Sequence, residues 1–574
     1  MNSAKYKNVL YERGAVTNLK DLVNTSVAIY GERTAYLVKH TPGGAYEPIS
    51  FAELKEDLDG LGTALAEIGL RGKKVAVIGE NRYEWVLSYL AVVNGGGVII
   101  PLDRELGGEE IARILKRAGA DAIVFSSKVE AVVEEAATSL PESGFLISMD
   151  ASEHEGRRKS LRRLVALGKK LLRERRLGFI DFNIDADAMC ALLFTSGTTG
   201  LSKGVMLSHR NIAANVHDMS KYVNVENFTG LSVLPMHHTY EMTCHIMTAL
   251  YQGCAVAICE GLKYIVKNMS ESKASLMLGV PLIFENMHKK IWKNAESGRK
   301  ADKMRKVVQL SKLLGGQNIK HTKKLFKDVH NAMGGNVRLF ISGGAAIDPA
   351  VVEDFNAMGF TMIQGYGMTE NAPLIAMNKD RYSKAAAAGL PLPGTEVQII
   401  DKDKSGIGEI ICRGDSVMLG YYADPEETAR VIVDGWLHTG DFGYLDKDGF
   451  LYVTGRKKNI IVTKNGKNIS PEELEYYLLK SPYIQEAVVW GKPDERSGDL
   501  IINAAVVPDL EFLRETQMRG DQDEASLRKI LSEEIDAVNE KMPPYKRIKK
   551  FVLRTEEFEK TSTKKIKRHL AAHG

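Results

Sequence analysis

The chain has 574 residues, 44% of them hydrophobic and 26% charged, with a formal net charge of only +4. A chain of this length cannot close around one core, so two or more packed subdomains and a smaller C-terminal region are expected. The composition is that of an ordinary soluble globular protein, and the near-neutral balance points to no nucleic-acid partner.

Cys190, Cys244, Cys254, Cys259 and Cys412 are odd in number, sit mostly in apolar stretches and include no C-x-x-C pair. They read as reduced core thiols of a cytoplasmic protein. Met1 to Gly14 holds no apolar run of the kind a signal peptide needs. The uncharged run Trp85 to Leu102 is broken by Asn94, Gly95, Gly96, Gly97 and Pro101 into a helix, a turn and a strand, so no membrane span is expected.

In chain order, helical periodicity runs over Ser50 to Gly69, and Lys74 to Ile78 is a short apolar strand. Tyr83 to Val93 predicts a helix, Val98 to Pro101 a strand, Gly108 to Arg117 a helix and Ala122 to Phe125 a strand. Strands alternating with helices imply a parallel sheet, whose ligand-binding loops lie at the carboxyl ends of the strands. Gly156 to Arg176 predicts a basic amphipathic helix around Arg162. It fits a docked surface helix with a solvated basic face, the commoner case, and also an anionic lipid surface or an acidic carrier protein. Arg299 to Lys327 is a second basic helical stretch, and from Val397 onward short strands and turns predominate. The domain boundary is placed near Lys458, giving domains 1–457 and 458–574.

The strongest chemical signal follows the strand Ala191 to Phe194: Thr195-Ser196-Gly197-Thr198-Thr199-Gly200-Leu201-Ser202-Lys203-Gly204. Small residues let backbone N–H groups approach an anion, hydroxyls donate further hydrogen bonds and Lys203 adds charge, so the loop suits a polyphosphate. The lysine spacing excludes a Walker A loop. Gln364-Gly365-Tyr366-Gly367-Met368-Thr369-Glu370 offers an aromatic face for a base, a hydroxyl for a phosphate and one carboxylate for Mg2+, which takes few protein ligands. Asp441, in Gly435 to Asp441, can accept from two ribose hydroxyls. Lys560 to Arg568 is a basic tail.

In this order the segments resemble the adenylate-forming superfamily: acyl-CoA synthetases, peptide-synthetase adenylation domains and beetle luciferases. The resemblance runs from about Trp85 to Arg568. It implies an α/β fold, with a large N-terminal domain of stacked α/β subdomains plus a β-rich subdomain, and a small mobile α+β C-terminal domain. It also implies that Thr195, Ser196, Gly197, Thr198, Thr199, Gly200 and Lys203 bind the β- and γ-phosphates of ATP. Gly343, Gly344, Ala345 and Tyr366 match the adenine shelf, Thr369 the α-phosphate contact, Glu370 the Mg2+ ligand, and Asp441 and Arg456 the ribose contacts.

Further positions follow from the same resemblance. Lys458 falls at the interdomain hinge, Gly466 at the pantetheine tunnel and Lys565 at the C-terminal catalytic lysine, with Lys564 where many members carry glycine. Leu234 to Glu241, with His237, His238 and Tyr240, resembles the acyl-pocket segment, and Val280 to Glu285 resembles its form in long-chain fatty acyl-CoA synthetases. Met242 stands where some fatty-acid enzymes carry a gating Trp. The implied activity is ATP-dependent formation of an acyl-adenylate from a medium- or long-chain fatty acid, then transfer to CoA. Loading of a carrier-protein phosphopantetheine is the alternative. A nucleotide-binding scaffold without turnover is disfavoured because Lys203, Glu370, Asp441 and Lys565 are all present. The residues leave open the oligomeric state, and whether the basic helix touches the inner membrane surface.

Overall fold

A computed structural model describes residues 6–195, 202–298, 300–313, 319–462, 468–493, 500–515, 524–560 and 566–568. The chain forms two compact units. The first comprises Met1–Val397, Cys412–Leu437 and Lys447–Leu451; the second comprises Gln398–Ile411, His438–Asp446 and Tyr452–Gly574.

Two large sheets organise the first unit. In the eight-stranded sheet the order is Gly420–Tyr421, Lys203–Ser208, Met189–Thr195, Val98–Pro101, Lys74–Ile78, Ala122–Phe125, Phe145–Ser148 and Arg158–Ser160. Neighbours from Met189–Thr195 to Arg158–Ser160 run parallel, while Lys203–Ser208 and Gly420–Tyr421 are added antiparallel. The central strand Lys74–Ile78 is buried from Val75 onward, which is why it reads as a continuous apolar run rather than an alternating one. The strands and helices expected between Lys74 and Phe125 are present to within one residue.

The nine-stranded sheet has the order Leu390–Pro391, Leu374–Met377, Thr361–Gly367, Leu339–Ser342, Leu276–Gly279, Thr229–Ser232, Ala255–Ile258, Thr34–Val38 and Glu47–Ser50. It is parallel through its middle and antiparallel at both ends. A single apolar cluster draws residues from both sheets, among them Val205 and Ile341, and from helices, among them Trp85, Leu90 and Ile246. All five cysteines are buried and unpaired. Among the described residues no helix is long and apolar enough to cross a membrane.

The basic helix departs from its expected limits. It runs from Leu161 to Arg173, because Arg158–Ser160 pairs instead as the edge strand against Leu146–Ser148 and Ser160 caps the helix by accepting from the Arg163 N–H. At the other end Arg175 adopts a left-handed φ of 61°. Leu161, Leu164, Gly168 and Leu171 are buried. A Cβ on Gly168 would stand 1.7 Å from the Gly60 carbonyl oxygen, so this helix and Phe51–Glu67 meet where each presents a glycine. Within the second basic stretch, Ala301–Leu313 and Ile319–Leu325 are helical.

The second unit carries a three-stranded sheet in which Leu500–Pro508 pairs antiparallel with Ile484–Pro493 and parallel with Ile548–Leu553. Its separate core joins Leu474 and Leu478 of the helix Pro471–Leu478 with Leu531 and Ile535 of Glu524–Glu540.

His209 begins the helix His209–Ser220 and is buried, its Nδ1 accepting from the Leu19 N–H at 3.4 Å. Burial lowers its pKa from 6.5 to about 4, with Asp185 opposing. The unfolded chain therefore binds one more proton between those values, and stability is lost as pH falls through that window, by about 1.4 kcal/mol per pH unit. In urea titrations from pH 7 to pH 4.5, His209→Asn, which keeps an acceptor for Leu19, should remove that part of the pH dependence.

Candidate active site

Thr195 and Lys203 close a hairpin between two antiparallel strands of the eight-stranded sheet, with the Thr195 hydroxyl donating to the Lys203 carbonyl at 3.4 Å. Ser196, Gly197, Thr198, Thr199 and Gly200 lie outside the described residues. Lys203 is partly exposed and its Nζ lies 2.5 Å from Glu427 Oε1. The Tyr421 ring lies beneath the same ammonium, 4.9 Å from it.

Glu370 sits in the short turn Thr369–Asn371, immediately after the strand Thr361–Gly367 that carries Tyr366. Its carboxylate accepts at Oε1 from the Tyr421 hydroxyl at 2.9 Å. The backbone completes the link. Met418 N–H donates to the Glu370 carbonyl, Leu419 N–H to that of Met206, and Tyr422 N–H to that of Gly204. Segment 418–422 thus straps the Lys203 strand to the Glu370 turn. Burial raises the Tyr421 pKa, and the neighbouring Glu370 raises it further, so the phenol stays protonated as a donor.

Gly343, Gly344 and Ala345 follow the strand Leu339–Ser342. Gly344 has a φ of +83°, and Gly343 leaves room for Tyr240, whose ring carbon Cζ would stand 2.8 Å from a Cβ there. The Tyr240 hydroxyl donates to the Ile341 carbonyl at 2.9 Å. The structure therefore brings the segment expected to line an acyl pocket against the loop expected to hold adenine. The His237 and His238 rings lie tilted against each other with centroids 4.6 Å apart, and His237 Nε2 lies 3.6 Å from Asp103 Oδ2. Burial lowers the His237 pKa while Asp103 opposes it. Met242 is buried and opens a π-helical stretch, Met242–Met247. Next to it the fully buried pair His245 Nδ1 and Glu241 Oε1 are 2.8 Å apart.

In the second unit Asp441 and Arg456 are brought together: Arg456 Nε lies 3.0 Å from Asp441 Oδ1, with the aspartate side chain only 4% exposed. Lys457 Nζ pairs with Glu409 at 2.7 Å, and Lys458 lies in the turn Lys457–Asn459. Gly466 and Lys565 lie outside the described residues. The flanks of Lys565 are held: Lys560 and Ile566 form an antiparallel bridge, and Arg568 bonds to Glu475. Burial pushes the Glu475 pKa up to about 7 against the opposing charge of Arg568.

Tyr421 and Glu427 were not among the residues singled out from sequence. The run Gly420-Tyr421-Tyr422 before Asp424-Pro425-Glu426-Glu427 does announce a strand end and a capped helix, and Asp424 caps Pro425–Val431. Nothing local indicates which distant groups these side chains meet.

Comparison with known proteins agrees with this architecture. Residues 23–422 match the AMP-binding enzyme family and residues 473–565 match the AMP-binding enzyme C-terminal domain. A long-chain-fatty-acid–CoA ligase of Mycobacterium bovis, FadD15, is 27% identical over 478 residues, covering 80% of this chain and 78% of that protein. A chloroplastic long-chain-fatty-acid–[acyl-carrier-protein] ligase of Arabidopsis thaliana, AEE15, is 25% identical, covering 84% of this chain and 76% of its own. The crystal structure of the anthranilate CoA ligase AuaEII with anthranoyl-AMP superposes with a TM-score of 0.75 at 20% identity, covering 99% of this chain and 98% of that one. The fold and the two matched regions define an adenylate-forming type of enzyme. The chain belongs to the AMP-binding enzyme family.

Tyr240 cannot swing away cheaply from a side chain at position 343, because its hydroxyl is held by Ile341. Gly343→Ala should cost about 1–3 kcal/mol of stability in urea unfolding by overpacking. Combining it with Tyr240→Leu should give less than the sum of the two single effects.

Proposed function

We propose that the protein activates a medium- or long-chain fatty acid as its acyl-adenylate and passes the acyl group to CoA. The observation that carries this reading is the strap at Tyr421, which holds Lys203, a cation suited to phosphates, beside Glu370, a carboxylate suited to a metal. The family match and the relatives named as long-chain fatty-acid ligases support it.

In this reading Thr195, the loop Ser196 to Gly200 and Lys203 take the β- and γ-phosphates. Tyr366 and Gly343 to Ala345 form the adenine shelf, Thr369 meets the α-phosphate, and Asp441 with Arg456 takes the ribose. Glu370 would hold Mg2+. Mg2+ takes few protein ligands, with phosphate and water completing its shell, so one carboxylate suffices. When bound, that ion neutralises phosphate charge. Glu370 Oε1 is taken by Tyr421, and no hydrogen bond to Oε2 occurs among the described residues.

The acid's carboxylate oxygen attacks the α-phosphorus, the bond to the β-phosphate oxygen breaks, and pyrophosphate leaves. Lys565 and Thr369 stabilise the charge that builds on the α-phosphate, where preorganised electrostatics count most. In the second step the CoA thiol loses its proton to water, its sulfur attacks the acyl carbonyl carbon, the bond to the AMP oxygen breaks, and AMP leaves. Lys458 serves as the pivot of the C-terminal region between steps. Gly466 lines the thiol tunnel, because a bare backbone leaves room for a thin arm.

Pyrophosphate release measured over carboxylates from acetate to stearate, with and without CoA, tests the reading. Release and acyl-CoA should peak at medium or long chains; acyl transfer to a holo carrier protein in place of CoA would favour the alternative acceptor. Lys565→Ala should abolish adenylate formation while largely sparing thioester formation from supplied acyl-AMP. Equal loss of both steps would remove Lys565 from its role.

The basic helix supports peripheral contact with anionic lipid. Its apolar face is buried, and Arg162, Arg173, Arg175 and Arg176 are exposed, a cationic surface that can adsorb without inserting; Arg163 is taken up by Glu153. Each such charge near an anionic surface is worth about 1 kcal/mol, and salt screens it. Sedimentation with phosphatidylglycerol vesicles should bring the protein down at low salt and release it at about 0.5 M salt. Arg173→Glu with Arg176→Glu should abolish that binding, and neutral vesicles should not bind.

A further inference from the structure

We propose that Glu427 is a built-in counterion of Lys203 that competes with the polyphosphate of ATP and, after the first step, helps to expel pyrophosphate. This rests on the reading of Lys203 as a phosphate ligand.

The geometry is that of a transferable partner. Glu427 Oε1 is 2.5 Å from Lys203 Nζ, and Glu427 Oε2 is 2.6 Å from Arg430 Nη1. Arg430, one turn further along the same short helix, is exposed, whereas the Glu427 side chain is only 16% exposed. If a phosphate takes Lys203, the carboxylate keeps Arg430, so the exchange leaves no buried charge unpaired. The Lys203 ammonium also has the Tyr421 ring beneath it, so Glu427 is not its sole partner.

The position of Glu427 is itself determined. Asp424 caps the helix by accepting from the Glu427 N–H at 3.1 Å, and Thr428 accepts from the Tyr421 N–H at 2.8 Å. The carboxylate is therefore aimed at Lys203 by the same segment that pairs with the Lys203 strand. A carboxylate paired with the lysine of a polyphosphate site must be displaced by ATP and pyrophosphate alike. It weakens substrate binding but prevents the product from being held tightly by the same lysine.

The alternative is that Glu427 only orients Lys203 toward phosphate, and the two roles predict opposite signs. A competitor's loss should tighten binding; an orienting group's loss should weaken it. The test uses the full-length enzyme, with KM for ATP and product inhibition by pyrophosphate measured at saturating fatty acid and CoA, and with equilibrium titration of MgATP as a second readout. Glu427→Gln should lower both KM for ATP and the inhibition constant for pyrophosphate by about tenfold, equivalent to about 1.4 kcal/mol, while kcat does not rise. Glu427→Asp should restore values toward the wild type. Lys203→Gln should raise KM for ATP, and adding Glu427→Gln to it should change nothing further.

A raised or unchanged KM in Glu427→Gln, beside a raised KM in Lys203→Gln, would overturn the counterion and leave the phosphate reading standing. An unchanged KM in Lys203→Gln would overturn both.

Discussion

The hydrogen bond from the Tyr421 hydroxyl to Glu370 is the interaction on which the candidate site depends. Tyr421 belongs to a two-residue strand whose backbone pairs with Val205 and Met206, so its side chain is placed by the strand that begins at Lys203. Its ring then stands beneath an ammonium while its hydroxyl reaches a carboxylate. Glu370 and Lys203 do not pair with each other among the described residues: Glu370 Oε1 accepts from Tyr421, while Lys203 is held by Glu427, a partner that a charged ligand would have to replace.

The two sheets supply the rigid frame for this arrangement. In parallel sheets the loops gather at the carboxyl ends of the strands, and Gly343 follows one such strand while the Tyr366 to Glu370 segment closes the next. Tyr240 reaches under Gly343 to the Ile341 carbonyl, so the segment expected to line the acyl pocket is braced by the strand that presents the nucleotide loop. Packing around Gly343 therefore couples two regions that a sequence reading treats as separate. The second unit holds its own polar pair, Asp441 with Arg456, and ties down the base of its C-terminal tail through Arg568 and Glu475.

Where the sequence and the structure part company, tertiary pairing has overridden a local signal. The residues from Gly156 to Ser160 have the composition of the helix that follows, yet Arg158 to Ser160 extends as an edge strand because the Phe145–Ser148 strand offers unpaired backbone groups. Helical periodicity cannot register that competition. The close crossing of Phe51–Glu67 with Leu161–Arg173 was equally hidden, since a helical glycine reads as a weak point until a partner helix is known to need its missing side chain.

Sequence alone determined the kinds of element, the order of the motifs and most of the candidate residues. Periodicity, turn chemistry and a Thr- and Gly-rich loop ending in lysine are local properties of the chain. Only the tertiary structure decided that Tyr421 meets Glu370 across 51 positions and that Glu427 meets Lys203 across 224. A side chain's charge and shape are written at its own position, whereas the partner that sets its role is chosen by how distant strands pair.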